Sequence, residues 1–415
     1  RIGLQQIVTI LRQTPKTRFV RGAPPLQCAS KFWPWPEFHS QILPNASERS
    51  VTASTDSDVS KFLNSIELSE IGQKLGEVAR VRDPSAAEGR VTATVELGFP
   101  CKSAHESIRG QLVDALRADF GASDVDIKLE TRIIRHAVQG NLKPLKAVKN
   151  IIAVASGKGG VGKSTVSANI ALALAAEGAA VGVLDADIYG PSQPHMMGIV
   201  GDQPVSEDGK TMLPLRAHGL QLMSIGALVD PDQPMVWRGP MVTSALSQLT
   251  HQTQWQDLDY LIVDMPPGTG DIQLTLAQQV PVSGVVIVTT PQNIAAIDAR
   301  KGLAMFRKVS ISVLGVIENM STHICSKCGH QEAIFGAGGA KKISEDFDVQ
   351  LLGQLPLSAM VREQTDSGSP TMIADPDSAE ARAYREAAWR IGAAQAAERT
   401  DHSSKFGTIV VEGGT

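Results

Sequence analysis

The sequence predicts an α/β protein built on a doubly wound, mostly parallel sheet, with a small α+β unit in front of it. The first observation is an alternation. From Ile151 onward the short apolar runs IIAVAS, AAVGVLDAD, YLIVDMP, GVVIVTT and SVLGVIEN are separated by helical segments. Continuous apolar strands are buried on both faces, which requires helices on both sides of a parallel sheet. The second observation is local: the first run leads through a Gly-rich turn straight into the helical segment STVSANIALALAAEG. The third lies upstream, where residues 58–131 read as helix, strand, helix, strand.

Those upstream elements are justified in turn. DVSKFLNSIELSEIG reads as a helix, RVTATVELGFP as a strand by its alternation and β-branched residues, SAHESIRGQLVDALRADFG as an amphipathic helix closed by Gly121, and VDIKLETRII as a second strand. RHAVQGNLKPLKAVKN follows, and its Gly140 and Pro144 argue against one continuous element. The expected organisation is an atypical or unstructured extension over 1–56, an α+β domain over 57–135, a linker over 136–150, the main domain over 151–395 and a tail over 396–415. The first segment has no acidic residue before Glu37 and contains several arginines, as organellar transit peptides do. A tail with no fold of its own, or an upstream extension of the reading frame, fits it equally well, and the absence of Met before Met196 favours these two.

Composition sets the class. The 415 residues are 42% hydrophobic and 20% charged, ordinary for soluble globular protein and enough for two or three domains. The net charge of −4 and the lack of a dense Lys/Arg stripe lead us to expect no nucleic-acid partner. No run of about 18 apolar residues occurs, so no membrane span is expected. Four cysteines, Cys28, Cys101, Cys325 and Cys328, are too few for a disulfide framework, and the close spacing of the last two suits metal or redox chemistry in a reducing, cytoplasmic setting.

The segment Gly157–Thr165, GKGGVGKST, satisfies G-x-x-x-x-G-K-[ST] between a strand and a helix. Gly157, Gly159, Gly160 and Gly162 let the backbone turn tightly and, with Val161, aim successive N–H groups at a β-phosphate. Lys163 can reach the β- and γ-phosphates of ATP; the Ser164 hydroxyl can ligate Mg²⁺, with Thr165 beside it. A plain Gly-rich turn fits this spacing poorly. Lys158, inside the loop, reads in a generic loop of this kind as a solvated lysine.

Two carboxylates two residues apart, Asp185 and Asp187, close the run VLDAD at a strand's carboxyl end. Structural carboxylates are common there, so chemistry alone leaves a structural and a catalytic reading equally open. YLIVDMPPGTGD ends its strand in Asp264, which would hold Mg²⁺ through water, with Gly268 and Gly270 giving a mobile switch. Asn319, after VLGVIE, reads either as a strand-end turn residue or as a base-contacting one.

The Gly-rich loop resembles the deviant Walker A motif of the MinD/ParA/nitrogenase-reductase class. The motifs GKGGVGKST, DADIYGPSQP, DMPPGTGD, TTPQNIAAIDARKG and ENMSxxxCxxCGxxxxIFGxGG, in this order, resemble the Mrp (ApbC) family of iron–sulfur cluster carrier ATPases. The resemblance runs from about Asp58 to the C-terminus. It implies a P-loop NTPase fold and an ATP hydrolase whose turnover is coupled to loading or transferring a labile cluster. It also implies a homodimer sandwiching two ATP molecules, with Lys158 reaching the partner's phosphate, Asp187 positioning the attacking water and Asn319 reading the adenine edge. The small α+β unit is similar to domains of iron–sulfur assembly factors. Implied partners are a cluster assembly scaffold as donor and apo-proteins as recipients, with no nucleic acid and no membrane. A ParA/MinD-like positioning ATPase without metal chemistry is the alternative, but the tail SSKFGTIVVEGGT is neither basic nor an amphipathic membrane helix. A nitrogenase-reductase-like electron donor would need a stable redox couple.

Cys325 and Cys328, in HICSKCGH, admit three readings. A thioredoxin-like pair needs the C-x-x-C at a helix N-terminus in another context. A zinc site within one chain would have to recruit His323 and His330 at cramped spacing. The dimer that the resemblance implies would bring two such pairs together as four thiolates, the ligand set of a four-iron four-sulfur cluster. Cys101 reads chiefly as a small core residue, with transient cluster ligation as the minor reading; Cys28 carries no signal.

Overall fold

The computed structural model describes residues 55–140, 142–228, 239–325 and 327–401. The extension over 1–54, with Cys28, and the tail from 402 lie outside the described residues.

The chain enters through helix α1 (Asp56–Ser65), whose start is fixed by a reciprocal capping box: Asp58 N–H donates to Thr55 Oγ1 at 3.3 Å and Thr55 N–H to Asp58 Oδ2 at 3.1 Å. The single helix expected over 58–72 is not what forms. At Ile66 the backbone turns extended, and Glu67–Leu68 pairs antiparallel with Gln73–Lys74 around Gly72, whose φ is +66°. Strands β1 (Ala79–Ala87), β2 (Arg90–Leu97) and β3 (Asp124–Thr131) make a three-stranded sheet, with helix α2 (His105–Ala118) connecting the parallel pair β2 and β3. Their inner faces enclose a core that contains Leu63, Val95, Leu97, Ile108, Leu112 and Cys101.

The main sheet has eight strands. In chain order these are β4 (Val148–Ala155), β5 (Val181–Asp185), β6 (Leu215–Ala217), β7 (Leu220–Ser224), β8 (Leu258–Asp264), β9 (Gly284–Thr289), β10 (Val313–Glu318) and β11 (Leu351–Gln354). Their spatial order is β11-β10-β9-β4-β8-β5-β7-β6, parallel except where β6 meets β7. Residues of β4 and β8 alternate between two cores. Ile152, Val154, Tyr260 and Ile262 face one, while Ile151, Ala153, Leu261 and Val263 face the other. This period of two within unbroken apolar runs is why both faces need helices, and each fully buried aliphatic side chain contributes about 1.5–3 kcal/mol.

Helix α3 (Lys163–Ala176), which follows β4, is buried nearly all round, under the sheet on one side and α4 (Ala379–Ala396) on the other. β4 begins at Val148, inside the stretch read as linker. Ahead of it His136 N–H and Nδ1 both meet Asn150 Oδ1, at 3.1 and 2.9 Å, and Gln139 Nε2 donates to the carbonyls of Ala277 and Val280, each at 2.6 Å. The connecting segment is docked at both these points. The small unit is fastened to α3 by buried Glu177, which accepts from Ser103 N–H at 2.8 Å and Oγ at 2.6 Å and pairs with Arg385 of α4 at 3.2 Å. Among the described residues no helix is long and apolar enough to cross a membrane.

Candidate nucleotide and cysteine sites

All the parallel strands point their carboxyl ends at one edge of the sheet, and the loop after β4 lies there. Two of its glycines are required by geometry. A Cβ on Gly157 would sit 2.2 Å from the backbone carbon of Asp298, and Gly162, at φ +78°, would drive one to 2.3 Å from Asn319 Nδ2. With Gly159 and Gly160 between them, the loop can lie close against its neighbours and still turn into α3. The cavity it encloses holds about 230 Å³ and is lined among others by Lys158, Lys163, Ser164, Thr165 and Asp187, with Val161 in its wall. Lys158 is half-buried there.

The floor of the site is an ionic network. Lys163 Nζ is 2.5 Å from Asp264 Oδ1, 4.0 Å from Asp187 Oδ2 and 3.2 Å from Ser164 Oγ. Asp264 is fully buried, and it also accepts from Ser167 Oγ at 3.0 Å and from Gln193 Nε2 at 2.9 Å. The two aspartates differ in their surroundings. Asp187 faces the cavity, whereas Asp185 is buried and accepts from the Asp187 and Gln193 N–H groups and from Ser224 Oγ, at 3.2, 3.1 and 3.0 Å. Burial, and then the neighbouring Asp264, push the Asp185 carboxyl up to about 7. Burial likewise raises Asp187, opposed by Lys163.

Gln193 was not legible beforehand. Its side chain donates to Asp264 and to the Ser164 carbonyl at 3.0 Å, its N–H donates to Asp185, and its Oε1 is buried with no hydrogen-bond partner. Nothing in GPSQP marks it except a polar residue entering a buried turn.

Beside the phosphate-sized cavity lies a second one of about 490 Å³, sharing Gly162, Thr165 and Met196 with it and walled by Asn319, Met320, Pro356, Leu357 and Tyr384. Its mixed apolar and polar walls suit a nucleoside. Asn319 is buried, and its Nδ2 donates to the Val161 carbonyl at 2.9 Å, so it braces the loop from this side.

Cys325 and Cys328 occupy the turn of a hairpin whose two short strands, His323–Ile324 and Gln331–Glu332, pair antiparallel. Cys325 N–H donates to the His330 carbonyl and Gly329 N–H to the Cys325 carbonyl, both at 2.9 Å. Backbone N–H groups of Lys327 and Cys328, together with the Cys328 thiol, hold the Cys325 thiol below its ordinary range. Among the described residues no group of three or more His, Cys, Asp or Glu side chains is arranged to hold a metal ion, so His323 and His330 do not complete a set with the two cysteines. Cys101 is buried in the small core, where burial and Glu177 raise its thiol well above the usual value, against ligation.

A Gly-rich strand-to-helix cradle, a buried lysine and carboxylates at adjacent strand ends of a doubly wound sheet define a P-loop NTPase. Residues 147–392 match the family model described as ParA, NUBPL iron-transfer P-loop NTPase, and the chain belongs to that family. It is similar to the iron-sulfur cluster carrier protein of Escherichia coli strain K12, 55% identical over 304 residues, which cover 73% of this chain and 82% of the relative. The protein of the same name from Pseudomonas fragi is 60% identical across 65% of this chain and 94% of its own length. The iron-sulfur cluster transfer protein NUBPL of Mus musculus is 52% identical over 58% and 76% respectively.

Proposed function

We propose that this protein is an ATP-hydrolysing carrier that receives a labile iron–sulfur cluster on Cys325 and Cys328 and passes it to apo-proteins. The observation that carries the reading is the pairing, in one chain, of a nucleotide cradle with a C-x-x-C turn at the tip of a solvent-facing hairpin. The names of the relatives point to the same cargo.

The chain's own residues divide the work. Backbone N–H groups from Gly157 to Thr165 cradle the β-phosphate, and Lys163 leaves Asp264 to meet the β- and γ-phosphates. When bound, Mg²⁺ would neutralise charge on the phosphate oxygens, with the Ser164 hydroxyl as direct ligand and Asp264 acting through water. The hard oxygen donors clustered around Lys163 fit such an ion. Asp187, at the cavity wall, positions the attacking water, and Asn319 contacts the base. Lys158 reaches across a two-fold axis to the partner's phosphate. Two hairpins meeting on that axis supply four thiolates, the ligand set for a four-iron four-sulfur cargo taken from an assembly scaffold and released to recipients.

The test is joint. Protein purified without oxygen should bind iron and sulfide and release phosphate from ATP. Phosphate release with no iron retained after reconstitution would instead favour a positioning ATPase.

A further inference from the structure

We propose that His323 is a positioning residue that transmits occupancy of the nucleoside cavity to the Cys325 hairpin. The inference rests on the carrier reading above and names how the two sites of that carrier communicate.

The path is short and continuous. Asn319 donates to the Val161 carbonyl of the phosphate loop, and the Met320 methyl comes within 3.6 Å of where a Gly162 Cβ would lie. Met320 holds a φ of +58°, a left-handed conformation that costs a non-glycine residue energy and recurs where function over-determines the backbone. Beyond it the strand is stitched to the opposite wall of the cavity. Ser321 N–H and Oγ both donate to the Leu355 carbonyl, at 2.9 and 3.0 Å, and Leu357 N–H donates to the Thr322 carbonyl at 2.9 Å. His323 makes the last stitch. It forms a parallel bridge with Leu357, and its Nδ1 lies 3.1 Å from the Leu357 carbonyl. A carbonyl only accepts, so Nδ1 carries the proton, which fixes the tautomer and the ring plane. His323 also lines the cavity read as the nucleoside site.

Cys325 is two residues further on. Among the described residues, the hydrogen bonds of the hairpin beyond Ile324 are its own, namely Cys325 to His330, Gly329 to Cys325 and the two-residue ladder. The thiols are therefore carried on a hairpin whose incoming strand is anchored at His323 and Leu357 and whose outgoing strand leads to Ile334, in the wall of the same cavity. A nucleoside that fills the cavity touches that pair directly, which gives it the differential contact that any shift of the hairpin requires. Linkage makes the effect reciprocal: cargo on the thiols must alter nucleotide affinity by the same factor.

The experiment reads the thiols in the protein without cargo. Full-length protein is alkylated with iodoacetamide, with and without saturating ADP, and Cys325 and Cys328 are followed separately by peptide mass spectrometry. Wild type should show an ADP-dependent change in rate of at least about fivefold. His323→Asn, whose amide can replace the Nδ1–H donor, should keep it; His323→Leu, brought to saturation at its own measured ADP affinity, should respond less than about twofold. A Leu variant responding like wild type overturns the proposal, as does a wild-type protein that binds ADP without any change at the thiols. Cluster reconstitution on the same wild-type sample is scored apart, so loss of the carrier reading leaves the alkylation result to decide the coupling.

Discussion

Lys163 and Asp264 form a buried ion pair at 2.5 Å, and Asp264 already accepts from Ser167 and Gln193. Lys163 is thus parked on the carboxylate that closes β8. In the proposed mechanism nucleotide has to draw it away, leaving Asp264 to its two neutral donors. Removing the lysine should cost both chemistry and stability, because a buried carboxylate without its partner is destabilising by about 3–5 kcal/mol. Lys163→Met should lower phosphate release by at least about a hundredfold. Adding Asp264→Asn should recover most of the urea midpoint while leaving hydrolysis absent. A double variant no more stable than the single one would show that the pair is energetically inert.

The Asp185 carboxyl stands near 7 when folded, against an ordinary 3.8, with burial as the leading cause. Between those values the folded protein holds a proton that the unfolded chain has released. Stability of the nucleotide-free protein must then fall as pH rises from about 4 to about 7, by about 1.4 kcal/mol for each tenfold difference in proton affinity at most. Asp185→Asn, a permanently neutral isostere, should flatten that slope. Urea midpoints of variant and wild type should lie closest at about pH 4 and separate progressively up to about pH 7, with the variant higher. Parallel curves would mean that Asp185 is charged in the fold throughout.

For the cysteines, Cys325→Ser or Cys328→Ser should abolish the charge-transfer absorbance of a reconstituted cluster. Cys101→Ala should keep that signal. Its buried sulfur packs in the small core, and losing it should cost stability alone, on the order of 1 kcal/mol. Iron and sulfide counts should give one four-iron cluster per two chains, and light scattering should find the dimer only in cluster-loaded or ATP-bound samples. One cluster per chain in a monomer would refute the bridged arrangement.

What could be read beforehand was what is local. GKGGVGKST and C-x-x-C are defined by spacing along the chain, and the five long apolar runs are strands β4, β5, β8, β9 and β10 because burial on both faces leaves an unbroken apolar signature. Strands β6, β7 and β11 were not singled out. β6 and β11 span only Leu215–Ala217 and Leu351–Gln354, too short to show a period, and β7, Leu220–Ser224, matches β5 in length but has Gln221 breaking its apolar run. β1 escaped for another reason. Its alternation is broken by Asp83 at φ +47° and by a register shift between Arg82 and Ser85, beside Pro84. Gln193, Ser224 and His323 acquire meaning only from partners far away in sequence, which no spacing rule reaches.

Gln193 supplies the last test, because it touches three parts of the site at once. Its amide spans Asp264 and the Ser164 carbonyl, and its backbone anchors Asp185. Gln193→Leu keeps the volume and the backbone contact but removes the two side-chain donations. A buried acceptor deprived of its donor costs about 1–3 kcal/mol, so the variant should be measurably less stable. In the proposed mechanism Asp264 would also be less well held for its part behind Mg²⁺. Phosphate release should therefore fall about tenfold at saturating ATP, and the Mg²⁺ concentration for half-maximal rate should rise. ADP affinity measured without metal should change little, since the phosphate cradle is untouched. Gln193→Glu places a second carboxylate against Asp264 and should be worse than the leucine variant in both readouts. If leucine and glutamate behave alike, Gln193 fills space in this turn and does not position Asp264.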